Sequence, residues 1–300
     1  MSKVHLKAAV NGGGRYQTNT GETGSISHNE GSTEGFRARR GLTAPVSLLL
    51  ILFSLTLVST VVYNYALRQI NTQQEDLKLV AAEEKMLDLE EAITQSAWHP
   101  GSSRTIAFSN YGGQLRVEPN ANPLQINITL GTTNKTVFND NTGRLIYELP
   151  STRTGHLDTW LRGDPRVIVN LSTSYQAQMN VITGTDHQEL VVKYRPLTHS
   201  SVGDLFAGRR INNVRIYIIN LNSSQSIKSG GEFYVKASSL NVTANLHEYN
   251  GTTSDTIMSI SATLNGMTRE IRVPITVGAS GSTVRIEVVV SHVKIGGVPI

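Results

Sequence analysis

The sequence predicts an α+β protein: one long N-terminal helix, hydrophobic first and amphipathic afterwards, then a mainly-β, antiparallel sandwich-like ectodomain. Three observations predict it. An apolar run without charge spans Pro45 to Leu67, and an apolar stripe at three- and four-residue steps continues to Ala97. After Gly101 the apolar period changes to two.

Pro45–Leu67 is 23 residues long. As a helix rising ~1.5 Å per residue it can cross a hydrocarbon core of about 30 Å. Ser47, Ser54, Thr56, Ser59 and Thr60 can bond back to helix carbonyls, and Tyr63 and Tyr65 suit a membrane–water interface. A buried core helix would need protein on every side, yet the preceding segment is hydrophilic. The expectation is therefore a single-pass span in the cell membrane, with membrane lipid as its first partner. Arg37, Arg39 and Arg40 precede the run, whereas Arg68 is followed by Glu75, Asp76, Glu83 and Glu84. The positive-inside rule then places the N-terminus in the cytoplasm and everything past Arg68 outside the cell. A cleaved secretory signal fits badly, because the first 36 residues are polar and the run is too long for an h-region.

The net charge is +4, but the excess sits before and just after the span. Beyond Arg68, basic and acidic residues are equal in number, and no Lys/Arg stripe carries interleaved aromatics. Nucleic acid is therefore not an expected partner. The chain has no Cys, which excludes disulfides, thiolate metal sites and a Cys nucleophile.

Residues 1–41, rich in Gly, Ser, Thr and Asn, read as a disordered cytoplasmic leader or tail. Residues 42–67 read as the transmembrane helix and 68–99 as an amphipathic stalk. Leu79, Ala82, Met86, Leu89, Ile93 and Ala97 form the stalk's stripe, expected to pack on the chain's own β domain in preference to a neighbouring subunit. Pro100-Gly101 stops the helix, which would be a rod of roughly 80 Å.

Strands are predicted at Thr105–Ser109, Gln114–Glu118, Leu124–Leu130, Leu145–Leu149, Val167–Leu171, Leu190–Tyr194, Val214–Ile219, Phe233–Ala237, Asn241–His247, Thr256–Leu264, Glu270–Ile275 and Val284–His292. Turn signals separate them at Tyr111–Gly113, Asn120–Pro123, Asn141–Gly143, Ser229–Gly231, Asn250-Gly251 and Asn265-Gly266. A break near Ser200 would divide 100–200, one β-rich domain, from 201–300, a second domain or a continuation of the first.

The stretch Arg39-Arg40-Gly41-Leu42-Thr43-Ala44-Pro45-Val46-Ser47, followed by the apolar run, resembles the start of an archaeal type IV pilin with its class III signal. With Leu42 as the first mature residue, Pro45 and Val46 fall where many archaeal members carry proline and valine. The acidic helix, Pro100-Gly-Ser-Ser-Arg104 and the β domain behind it continue the likeness. The resemblance implies processing between Gly41 and Leu42 by a prepilin peptidase, and self-assembly through the N-terminal helix or retention in the membrane. It covers roughly the first third of the chain. Bacterial pilins have glutamate as the fifth mature residue where this chain has Val46, and the leader here is long. Filament formation thus stays open.

No His-Glu-x-x-His, Gly-x-Ser-x-Gly or phosphate-cradling loop occurs. Asp186-His187 could be imagined within a triad, but a β domain of this size supplies such pairs by chance. His156, Asp158 and His199 lack metal-ligand spacing. No catalytic, cofactor or metal residue is assigned. Arg162-Gly163-Asp164 spells an adhesion tripeptide, and Asp164 before Pro165 reads more simply as a turn. Six glycosylation sequons, at Asn127, Asn134, Asn170, Asn222, Asn241 and Asn250, all lie past the span. The function expected is a non-enzymatic, membrane-anchored surface protein of pilin-like structural or adhesive type. The alternatives are an uncleaved anchored sensor or binding domain for an envelope polymer or small ligand and, more remotely, an anchored hydrolase.

Overall fold

The computed structural model describes residues 43–109, 111–150, 159–170, 174–184, 187–223, 226–228 and 231–298. The chain divides at Ser59/Thr60 into two units.

In the first unit the described residues are all helical. They open helix α1, Thr43–Ala97. Leu48, Leu49, Leu50, Ile51, Phe53 and Leu55 are exposed on every side of it. The hydroxyls of Ser54 and Thr56 donate to the carbonyls of Ile51 (2.9 Å) and Phe53 (2.8 Å). The apolar surface thus presents few unpaired polar groups, which is the condition for a helix in hydrocarbon. α1 is the one described helix long and apolar enough to cross a membrane.

In the second unit α1 changes role. Leu79, Ala82, Met86, Leu89, Ile93 and Ala97 are buried among the side chains of the β strands. Burial widens toward the end of the helix, where Glu90, Ala92 and Ser96 join the stripe below the surface. Gly101 at φ +82° turns the chain away. The last carbonyls find partners beyond the helix: Ser96 O accepts from the Ser102 hydroxyl (3.0 Å), and Ala97 O from those of Ser239 (3.0 Å) and Ser291 (2.5 Å).

The strands are β1 (Ser103–Phe108), β2 (Gln114–Leu130), β3 (Thr133–Pro150), β4 (Trp160–Arg162), β5 (Val169–Asn170), β6 (Ala177–Thr183), β7 (His187–Tyr194), β8 (Leu197–Phe206), β9 (Arg209–Leu221), β10 (Ser226–Lys228), β11 (Phe233–Gly251), β12 (Ile257–Leu264), β13 (Met267–Pro274) and β14 (Ser282–Val298). They form two sheets. One runs β1-β11-β14-β9-β8-β5; the other runs β13-β12-β2-β3-β7-β6-β4, with β10 also on β2. An α+β protein with a long helix and a mostly β domain is the observed class.

Several features differ from the sequence expectation, which also lacks strands at β4, β6, β8 and β10. Asn120–Pro123 and Asn141–Gly143 are not turns: both lie inside long strands, and the β2–β3 register shifts between Glu118 and Asn122. Asn120, at φ 60°, takes the left-handed conformation within that irregularity. A bulge and a turn draw on the same residue types, so the sequence signal is the same. β2 and β11 each join two predicted strands, and β3 reaches well beyond the predicted Leu145–Leu149. The break near Ser200 falls inside β8, and both sheets take strands from either side of it. The pairing is also not purely antiparallel, since β14 runs parallel to β9. The chain between them, β10 to β13, is long enough to return to the same end.

Two apolar cores lie on opposite faces of the first sheet. Along β14, Val284, Ile286, Val288 and Val290 enter one core, with Ile216, Ile218 and Met258. Val293 and Ile295 enter the other, with Leu221, Tyr147, Tyr194 and the helix stripe. The β14–β9 register is unbroken from Ser282 to Val293, so the change from even to odd positions is a change of face. A polar layer is also buried: Asn220 accepts from Gly143 N (3.0 Å) and donates to Asn141 O (3.3 Å), and Asn265 donates to Asn122 Oδ1 (2.8 Å). These bonds reward one register of the two sheets.

Candidate functional sites

The processing residues Gly41 and Leu42 lie outside the described residues, as do His156, Asp158 and Asp186. His187 has its Nε2 3.7 Å from Glu189 Oε1. Among the described residues no three His, Cys, Asp or Glu side chains are grouped to hold a metal ion.

Arg162-Gly163-Asp164 is built into the domain. Gly163 has φ +78°, and a Cβ there would lie 2.4 Å from Ala177 O on β6. The position admits only glycine for both reasons. Arg162, on β4, pairs with the buried Glu90 of α1 and lies over the Tyr175 ring at 5.2 Å. Glu90 also accepts from Thr94 (2.7 Å). Asp164 is gripped from two sides, by Arg166 Nη2 (2.7 Å) and Arg195 Nη1 (2.7 Å). Its carboxyl is held well below the usual carboxylate range, first by the Arg166 hydrogen bond and then by that of Arg195, against a smaller desolvation effect.

Arg195 is wholly buried. Besides the carboxylate, it donates to the carbonyls of Asp164 (3.0 Å), Arg166 (2.8 Å) and Tyr175 (2.8 Å). A buried guanidinium is tolerated only when such partners surround it. Both charges of the tripeptide are thus engaged within the domain: one fastens the helix, the other fastens the loop after β4. Neither Glu90 nor Arg195 was singled out from sequence. Glu90 looked like one more acid on the stalk, and Arg195 carried no motif.

Burial shifts three further ionisable groups. Burial pushes the Tyr147 hydroxyl up to about 12. The Tyr194 hydroxyl is raised too, by burial first and by Glu90 second. The Lys193 ammonium is lowered, by burial first and by Arg144 second.

His199 lies on an open concavity of about 330 Å³ on the first sheet, lined also by Ser201, Asn213, Arg215, Leu246, Arg285 and Glu287. Its cations are already paired, Arg215 with Glu287 (2.5 Å) and Arg285 with Glu248 (3.0 Å). The surface offers hydrogen bonds to a neutral polar ligand rather than a free charge to an ion.

All six sequon asparagines are described. Asn134, Asn170, Asn222, Asn241 and Asn250 are exposed. Asn127 is half-buried on β2, and its Oδ1 accepts from the Thr136 hydroxyl at 2.7 Å.

The chain matches no protein-family model, no curated protein and no solved structure.

Proposed function

We propose that the protein is a non-enzymatic, pilin-like structural or adhesive component of the cell surface, held in the membrane by α1 with its β domain outside. The observation that carries this reading is the division of one helix between two environments. Its first part is apolar and exposed all round; its last part is core of the β domain. A helix of the first kind needs lipid or sister helices around it. One of the second kind belongs to the β domain's own core. Arg37, Arg39 and Arg40 before the span support a cytoplasmic N-terminus, and exposed sequons past it support an exported, glycosylated domain. The Arg40-Gly41-Leu42 signature and Pro45-Val46 support prepilin-peptidase processing and self-assembly through the helix.

The mature N-terminus of protein isolated from its own membranes tests this. Leu42 as first residue is expected; residues of the leader retained on the whole population would remove the pilin-like reading. A second reading, an uncleaved anchored binding domain, is favoured by the open concavity beside His199. Specific glycan or envelope-polymer binding by protein with an intact leader, lost on Asn213→Leu, would establish that reading instead.

A further inference from the structure

We infer that glycans at Asn241 and Asn250 guard an open strand edge against pairing with a second copy of this chain. The inference rests on the glycosylated, exported domain proposed above.

The argument starts from the edges of the two sheets. β1 covers β11 only as far as Ser238, with Ser239 N still donating to Ser102 O. Beyond that point β11 pairs with β14 alone among the described residues. Asn241 to Asn250 is therefore a free edge, ten residues with Glu248 as its one acidic or Lys/Arg residue and no proline. Val242, Thr243 and Tyr249 favour a strand, and every residue of the stretch is paired with β14 on its other side. Its side chains add to the hazard: Leu240 is 49% exposed and Leu246 65%. A long, weakly charged edge of this kind is a template for edge-to-edge association, and the one irregularity in its pairing with β14 lies at its start, between Ser239 and Asn241.

The other sheet handles its edges differently. β13 too has a neighbour on one side alone among the described residues, and it carries Arg269, Glu270, Arg272 and Pro274 and no sequon. At the opposite end β4 is three residues long. Charge, proline and shortness are the familiar devices there. The uncovered stretch of β11 has only Glu248 among such devices, and it has a sequon at each end. The second open edge of the first sheet repeats the arrangement. Among the described residues β5 covers β8 at Leu197 and Thr198 alone, and the residue opposite Thr198 is the sequon asparagine Asn170. Past it Val202, Leu205 and Phe206 are exposed. A glycan at such a site is a bulky hydrated group fixed beside the backbone an incoming strand would need.

Full-length protein purified in detergent from its own cells provides the test. Glycopeptide mass spectrometry reads occupancy, and sedimentation velocity reads association over a concentration series. Asn241→Gln/Asn250→Gln is compared with Asn134→Gln/Asn222→Gln, which removes two sequons away from the β11 edge. The edge pair should shift to concentration-dependent dimers and larger species at unchanged melting temperature. The control pair should sediment like the parent, and adding Leu246→Lys to the edge pair should restore the parent's behaviour. If the edge pair fails to fold, Thr243→Ala removes the Asn241 sequon at an exposed position and stands in for it. Parent-like sedimentation of the edge variant, or equal association of the control, overturns the guard inference while leaving glycosylation intact. Bare Asn241 and Asn250 in the parent overturn it through the glycosylation reading instead.

Discussion

Replacing Asp164 by alanine leaves the Arg195 guanidinium buried without its carboxylate. One-sided removal from a buried pair is destabilising by ~3–5 kcal/mol. Here the lower end applies. The Asp164 side chain is 33% exposed, and three carbonyls still accept from Arg195 after the change. About 3 kcal/mol in a domain of this size lowers the melting temperature by about 6–12 °C. The assay is thermal unfolding of the detergent-solubilised chain by circular dichroism, with exposed Asp204→Ala as a control that should move it by no more than ~0.5 kcal/mol. The double variant Asp164→Ala/Arg195→Met should lose less than the sum of the two single variants, because each single change strands the other's partner. A fall of less than 2 °C, about half a kcal/mol, or strict additivity in the cycle, would refute the buried-clamp account. It would also return the Arg-Gly-Asp tripeptide to consideration as a free adhesion element.

The same pair fixes a pH response. Asp164 has its folded pKa depressed, so its contribution is complete above the unfolded value near ~3.9 and fades as pH falls toward the folded one. The stability gap between parent and Asp164→Asn should stay constant from pH 7 to about 5 and narrow below about 4; a gap that closes already above pH 5 would contradict the assignment. Met86→Ala, at a wholly buried stripe position, should be destabilising by ~2–5 kcal/mol, whereas Leu77→Ala, 69% exposed on the same helix, should leave stability near the parent's; equal effects would deny the stripe its place in the core. Site-by-site mass spectrometry should find Asn127 unoccupied or nearly so, and glycans on exposed sequon asparagines; full occupancy of Asn127 would mean that the Thr136 hydrogen bond does not hold in solution. A soluble version beginning at Pro100 should be unfolded or aggregated, whereas one beginning at Arg68 should fold; a cooperative unfolding transition in the shorter version would refute the reading of the helix as core.

Much of the fold was legible because its periods are long and clean. The uncharged run and the Leu79–Ala97 stripe differ in how many sides of the helix are apolar, and that difference decides between lipid and core. The strand segments near Leu124–Leu130, Thr256–Leu264 and Val284–His292 alternate over enough residues to be unmistakable. What was hidden lay where local chemistry has two uses. Asn120–Pro123 serves a bulge as readily as a turn, and so one strand was read as two. β8 carries no strand signal because Leu197–Phe206 is exposed over most of its length, which removes the alternation. Of the candidate sites, the sequons could be read directly, since the motif is local. The Glu90–Arg162 and Asp164–Arg195 contacts could not, because their partners are far apart in sequence and meet only when β4, β7 and the helix are already in place.

The helix cannot be treated as a detachable anchor for the β domain. Leu79, Met86, Leu89 and Ile93 are each nearly or wholly buried, and burying such side chains contributes about 1.5–3 kcal/mol apiece. Together that is about 6–12 kcal/mol, comparable with the ~5–15 kcal/mol by which a whole domain is stable. Polar contacts act in the same direction: Ser239 and Ser291 on two strands close the helix end at Ala97, and Glu90 holds Arg162. Within the second unit the helix stripe from Leu79 to Ala97 is therefore interior, and cutting it away would expose the apolar faces of the strands it covers.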